Sequence, residues 1–146
     1  SDLMAYFRLA ASAVGKSKFE LFGDGSIQRD FTYIDDVVQN SFELLVNLIN
    51  QKTGFNDVVN IGGGQPHSIN DLIEKITQYG ERKFEISSGK SNLLDAKITM
   101  ASDEYLTTLI GRRTFKKIDE GVRELMNWVN IPEIKSHLKE WIDTTY

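Results

Sequence analysis

The sequence has no cysteine, and its 146 residues include only two prolines and two histidines. Without cysteine there is no disulfide framework, no thiolate metal site and no thiol nucleophile, which fits a reducing compartment. His67 and His137 stand far apart without ligand spacing, so a metal site or a Ser-His-Asp relay has little support. No apolar run approaches membrane-spanning length, and no basic stretch leads into an apolar one at the start. A soluble, cytoplasmic chain with no membrane partner is expected. An excess of one charge is missing too. Seventeen Lys and Arg against 21 Asp and Glu leave a net charge of −4. The basic residues are scattered apart from pairs such as Arg112-Arg113 and Lys116-Lys117, so no nucleic-acid partner is expected.

What is present is an ordinary globular composition, 40% hydrophobic, in a chain of one-domain length with room for a core. The most informative stretch is Phe19 to Asp36. Phe19 and Leu21, then Phe31 and Tyr33, alternate with polar neighbours as in half-buried strands. Gly23-Asp24-Gly25-Ser26 lies between them and accepts positive φ, which predicts a hairpin. Asp35 and Asp36 then suit the start of a helix. Arg29 stands between the turn and the second strand, and its planar guanidinium is suited to bidentate phosphate binding. The alternative for Arg29 is a surface arginine paired with Asp24 or Asp30.

Further elements follow from periodicity. Asp2 to Val14 is predicted helical. Asp35 to Gln51 carries Val38, Phe42, Leu45 and Ile49 at helical spacing, widened by Val37, Leu44 and Leu48, which predicts a largely buried helix. Val58 to Ile61 reads as a short apolar strand running into Gly62-Gly63-Gly64, a loop that must bring backbone close to something. Ser68 and Asp71 have capping-box spacing before a helix to Tyr79 that Gly80 ends. Phe84 to Ile86 and Ala96 to Thr99 are strand candidates, with a polar loop from Ser87 to Leu94. Ser102 to Leu109, Asp119 to Val129 and a segment beginning at Pro132 are helix candidates. Strands alternating with helices imply an α/β fold, a small mixed sheet flanked by helices. Such a set would be better satisfied with a further layer to pack against.

Two motif matches fail on context. Gly23-Asp24-Gly25 precedes a strand instead of a helix and lacks the third glycine of a dinucleotide fingerprint. Tyr79-Gly80-Glu81-Arg82-Lys83 fits Tyr-x-x-x-Lys formally, but Gly80 breaks the helix that would align the pair.

Gly23-x-Gly25-x-x-x-Arg29-Asp30-Phe31-x-Tyr33-x-Asp35-Asp36-Val37-Val38 resembles the extended short-chain dehydrogenase/reductase family, and within it the NAD-dependent nucleotide-sugar epimerases and dehydratases. Asn60-Ile61-Gly62-x-Gly64 with Ser68-Ile69-x-Asp71-Leu72-Ile73 continues the resemblance. So do Thr99-x-Ala101, Leu109-Ile110-Gly111 and Glu120-Gly121-Val122, so it spans the chain in order. It implies that residues 1–146 form a single nucleotide-sugar-binding domain, the C-terminal part of a larger enzyme whose N-terminal Rossmann domain is absent. The implied chemistry is transient oxidation of the sugar at C4 by NAD, followed by re-reduction or dehydration, performed by groups of that absent domain. The chain alone is then expected to be inactive, to hold no cofactor, and to have a nucleotide-diphosphate sugar and its own Rossmann domain as partners.

The resemblance also assigns roles. Arg29 matches a clamp on the diphosphate. Glu20 and Phe22 match an edge strand that meets the base through its backbone, and Leu3 a helix start whose backbone approaches the phosphates. Asn60 matches a nucleotide contact in some relatives, and Asp95 a holder of a ribose hydroxyl. No catalytic residue and no metal ligand is assigned. Two departures stand out. The family often has Arg-x-Gly-Asp where this chain has Asn92-Leu93-Leu94-Asp95, so a second cation is missing unless Lys90 reaches in. Asp2 replaces an amide and would repel a diphosphate. Both point to weakened diphosphate affinity or an altered substrate. A non-catalytic binding or interaction module, and the substrate lobe of a nucleotide-sugar reductase, are the rival readings. Apolar surface left exposed where a partner domain should dock would argue against the independent module.

Overall fold

The computed structural model describes residues 4–15, 18–51, 56–80, 84–90 and 95–145. Its elements in chain order are α1 (Ala5–Gly15), β1 (Phe19–Phe22), β2 (Gln28–Asp30), α2 (Ile34–Ile49), β3 (Pro66–Ser68), α3 (Ile69–Tyr79), β4 (Ile86–Gly89), β5 (Ile98–Thr99), α4 (Glu104–Ile110), α5 (Ile118–Val129) and α6 (Pro132–Thr145). The α/β class expected from the sequence holds, with the strands divided between two small sheets. β1 pairs in parallel with β4, while β2 lies between antiparallel β3 and parallel β5.

The core forms around α1, which packs on α3, α5, α6 and β1. Its run of small residues, Ala10 to Ala13, is buried and lets the neighbouring helices approach closely. At its end, a Cβ on Gly15 would lie 2.4 Å from Ile142 Cδ1, so a larger residue there would make the Ile142 side chain shift as α6 passes. Leu72 and Ile76 of α3, Val122, Met126 and Val129 of α5, and Leu138 and Ile142 of α6 complete this core. Phe7 and Trp141 meet edge to face with centroids 5.3 Å apart. The capping box is present: Ser68 Oγ accepts from Asp71 N at 3.0 Å, and Asp71 Oδ2 accepts from Ser68 N at 3.0 Å. Pro132 opens α6 at a position where its missing N–H costs nothing.

Three expectations are corrected. The glycine turn exists, with Gly23 and Gly25 at φ 77° and 75°, but β1 and β2 do not form a hairpin. The turn crosses from one sheet to the other and is held by the start of α3. Asn70 donates its backbone N–H to Gly25 O at 3.1 Å and its Nδ2 to Asp24 O at 3.0 Å. Donors left over at a helix start thus take carbonyls that a ladder would otherwise use.

Second, Val58 to Ile61 is not a strand and pairs with none among the described residues. Third, α2 is not largely buried. Asn40 is its only buried residue, while Ile34, Val38, Phe42, Leu45 and Ile49 are 52–72% exposed. These side chains recur every three or four residues and so share one face. The periodicity defines a real face, but no layer of the described structure covers it. No helix among the described residues is long and apolar enough to cross a membrane.

Candidate functional site

The site is built on β2, the central strand of its sheet, where Arg29 sits opposite His67 of β3 and Thr99 of β5. Arg29 Nη1 donates to Gln28 O and to Ala96 O, both at 2.8 Å. These two bonds aim the guanidinium toward the Asp95–Ala96 segment. Asp24 does not take it, since its Oδ1 accepts from Ser26 N at 2.9 Å and from Ser26 Oγ at 2.5 Å. Those bonds hold the Asp24 carboxyl below its ordinary range. Asp30 does not take it either. Among the described residues Arg29 forms no ion pair, and its Nε and Nη2 have no partner. The surface-pair alternative is not what the structure contains. A fixed guanidinium with donors to spare remains, the arrangement an oxyanion accepts in forked fashion.

Asp30, next in sequence, explains the glycine loop. Its Oδ2 accepts from Gly64 N at 3.0 Å and from Ala101 N at 3.2 Å. A Cβ at Gly62 would lie 2.5 Å from Ala101 Cβ and 2.9 Å from Asp30 Oδ2, so the loop reaches this carboxylate only without a side chain there. Gly64 has φ 64°, which turns its N–H inward. Asp30 Oδ1 is buried with no partner among the described residues. One carboxylate thereby ties β2, the loop and the exit of β5 together. The sequence signalled that something approaches the glycines; it did not signal that the neighbour of Arg29 does so.

A second polar group, also missed, joins α2 to α5. The Tyr33 hydroxyl hydrogen-bonds Glu124, Lys116 Nζ lies 3.7 Å from the Tyr33 ring centroid, and Lys116 Nζ donates to Glu124 Oε1 at 2.8 Å. The bond to Glu124 raises the Tyr33 pKa, and Glu124 is held low by Lys116 first and Tyr33 second. Lys116 N also donates to Asp36 Oδ2 at 2.8 Å, anchoring the first turn of α2. A Cβ on Gly121 would sit 3.3 Å from the Tyr33 ring.

The other expected site residues divide between the two sheets. Asp95 is exposed beside the carbonyl that receives Arg29, and Asn60 is exposed just before the loop that Asp30 holds. Glu20 and Phe22 lie on β1 against Gly89 of β4, where a Cβ would meet Phe22 Cδ1 at 2.8 Å and Glu20 Oε1 at 2.9 Å. Phe22 is 48% exposed, with the Arg8 guanidinium 5.9 Å from its ring centroid and 5.4 Å from that of Phe19. Leu3, Asp2 and Asn92 to Leu94 lie outside the described residues, as does Lys83 of the Tyr-x-x-x-Lys match. Tyr79 donates its hydroxyl to Asp119 Oδ2 at 2.6 Å, in a staple between α3 and α5 to which Lys75 Nζ adds 3.2 Å. Neither Tyr79 nor the glycine turns offer a dinucleotide site, and no group of residues among those described has metal-binding geometry.

The fold and this group define a small α/β lobe that presents a positioned arginine, unpaired among the described residues, on a central strand beside a carboxylate-held glycine loop. Residues 2–62 match the model of the NAD dependent epimerase/dehydratase family. The UDP-glucuronate 4-epimerase of Thermodesulfobacterium geofontis is 32% identical over 136 residues, covering 91% of this chain and 40% of that protein. Two solved structures superpose with a TM-score of 0.75. One is TunA, an NAD-dependent NDP-hexosamine 5,6-dehydratase of tunicamycin biosynthesis (30% identity, 92% of this chain, 42% of that one). The other is the UDP-glucuronic acid 4-epimerase of Bacillus cereus, solved with UDP-4-deoxy-4-fluoro-glucuronic acid and NAD (27% identity, 88% and 40%). The chain is thus similar to proteins of the NAD-dependent epimerase/dehydratase family, and it spans about two fifths of the length of those it matches.

Proposed function

We propose that residues 1–146 are the nucleotide-sugar-binding portion, corresponding to the C-terminal part, of an NAD-dependent sugar epimerase or dehydratase working in the cytoplasm. The observation that carries this reading is Arg29. Two backbone carbonyls hold its guanidinium, and among the described residues no carboxylate neutralises it, so Nε and Nη2 remain to donate. Such a group stabilises a diphosphate by charge-assisted bonds whose direction is fixed in advance. Asp95 and Asn60 would meet the ribose and nucleotide side of the ligand, Phe22 and Glu20 the base through the backbone of β1, and Leu3 the phosphates.

NAD supplies the hydride chemistry in this family, and it would be held by a Rossmann domain outside residues 1–146. The described residues do not fit a dinucleotide: no helix follows Gly23-Asp24-Gly25, and Tyr79 is committed to Asp119. No reaction step is assigned to them. Their contribution is binding energy that positions the sugar. The apolar face of α2 weighs against a self-sufficient binding module.

Calorimetric titration with UDP, dTDP, GDP and CDP tests the reading. One nucleotide is expected to bind, and Arg29→Ala to weaken it by about 1.5–3 kcal/mol, the usual worth of a hydrogen bond to a charged group. Equal binding by the variant would remove the diphosphate role of Arg29.

A further inference from the structure

The register that places Arg29 also places a second nitrogen group beside it. Arg29 and His67 are partners on the antiparallel strands β2 and β3. Directly opposed residues of such a pair put their side chains on one face, with Cβ atoms about 4.5–5.5 Å apart. On its other side Arg29 is paired with Thr99 of β5, and its guanidinium leans that way, to Ala96 O. The flank toward β3 is left to His67.

His67 is half-buried, and its imidazole makes no hydrogen bond or ion pair with any described residue. The elements packed against β3 are β2 and α3. From β2 come Arg29 and Asp30, and the Asp30 carboxylate is taken by Gly64 N and Ala101 N. From α3 comes Asp71, committed to Ser68 in the capping box. The Ser68 bonds hold the Asp71 carboxyl low, and the nearby His67 charge adds to them. Glu74 and Lys75 lie one turn further along α3, with Lys75 on Asp119. The carboxylates nearest His67 are therefore occupied elsewhere. A protonated imidazole opposite Arg29 sets two cations side by side, which is unfavourable unless an anion lies over both.

A nucleotide-diphosphate sugar carries one negative charge on each phosphate, and Arg29 answers one of them. We infer that His67 answers the other, its protonated imidazole donating to the second phosphate of the diphosphate that Arg29 binds. The clamp holds only while His67 keeps its proton, so affinity for the nucleotide sugar falls as pH rises. The inference rests on the diphosphate role of Arg29 proposed above and deepens it. It supplies from β3 the second cation that the sequence lacks at Asn92.

The test uses the whole 146-residue chain with UDP-glucose, dTDP-glucose, GDP-glucose and CDP-glucose. Histidine changes charge between about pH 5 and 8, whereas the diester phosphates of these probes do not. His67 and His137 are the only histidines, so each imidazole signal can be followed by proton NMR, with His137 on α6 as internal control. With the bound probe present, the titration midpoint of His67 should rise by at least about half a pH unit and that of His137 should stay. By linkage this corresponds to about threefold or more weaker binding at pH 8 than at pH 6. His67→Gln should bind weakly and equally at both pH values, and His67→Arg should restore tight binding at pH 8, with folding of each checked by circular dichroism. A His67 signal that ignores the bound probe overturns the inference, as does a His67→Gln variant that keeps the pH dependence of the parent chain. If Arg29→Ala weakens binding while His67→Gln changes nothing, only this inference fails. If none of the four probes binds at pH 6, the functional reading fails and this inference with it.

Discussion

The helices α1, α3, α5 and α6 and the helix α2 carry sequence patterns of the same kind, yet one set closes a core and the other does not. Ile69, Leu72 and Ile76 of α3 are buried, as are Val122, Met126 and Val129 of α5. The apolar stripe of α2, no less periodic, is turned to solvent. Hydrophobic periodicity therefore identifies a helix and the face that seeks cover, and says nothing about whether the cover belongs to the same lobe. The four-helix region is held by apolar contact. The α2 region is held by polar ties at Asp36, Glu43, Asn47 and Asp57.

The sharpest way to break this contrast is to hollow the core. Ile76 is fully buried between α3 and its neighbours, so Ile76→Ala should cost about 2–5 kcal/mol in urea-induced unfolding. A loss below about 1 kcal/mol would mean that the four-helix region is not the stabilising one. Next in size is Asp30→Ala, which strips two backbone donors, Gly64 N and Ala101 N, of their acceptor. About 2–3 kcal/mol is expected, given roughly 1–3 kcal/mol per donor left unsatisfied and partial access of water. Faster amide exchange at Gly64 and Ala101 than at Ile76 would locate the damage in the loop.

How much of this was legible beforehand depends on how local the cause is. The capping box at Ser68 and Asp71, the glycine stop after α3, and the onset of α6 at Pro132 were readable because each rests on neighbours within a few residues. The pairing of β1 with β4 was not, since the partner lies more than sixty residues away and the Gly23–Ser26 turn signal is the same for a hairpin and for a crossing between sheets. Arg29 was legible as a candidate; its orientation by Ala96 O was not. Asp30 was passed over as a mere ion-pair partner, because its true partners are backbone N–H groups, which carry no sequence signature.

A smaller effect is expected from pH, on the staple between α3 and α5. The hydrogen bond from Tyr79 and then that from Lys75 hold Asp119 below its ordinary 3.8, and the same Asp119 raises Tyr79 above its ordinary 10.0. A depressed carboxyl contributes stability that is present above its unfolded pKa and is lost as pH falls through the folded one. A raised phenol contributes stability that is present below its unfolded pKa and is lost as pH rises through the folded one. The staple should therefore work between about pH 4 and pH 10 and fade outside both limits. Thermal unfolding of Tyr79→Phe, followed from this range to beyond pH 10, should show a flatter alkaline limb than the parent protein. An unchanged alkaline limb would show that Tyr79 titrates freely.

The smallest expected effect is the most instructive. Phe42 is a large aromatic at the centre of an apolar stripe, and in the four-helix region such a residue truncated to a small polar one would cost several kcal/mol. On α2 this residue is 60% exposed, so most of its transfer free energy is not gained on folding. Phe42→Ser should shift the stability of the isolated chain by no more than about 0.5 kcal/mol, as at other exposed positions. It should also raise solubility by interrupting the patch. The unfolding midpoint of the variant beside that of Ile76→Ala measures the contrast between the two regions directly. A loss at Phe42 approaching that at Ile76 would mean that the stripe is covered within the chain itself, and the two regions would then be one core.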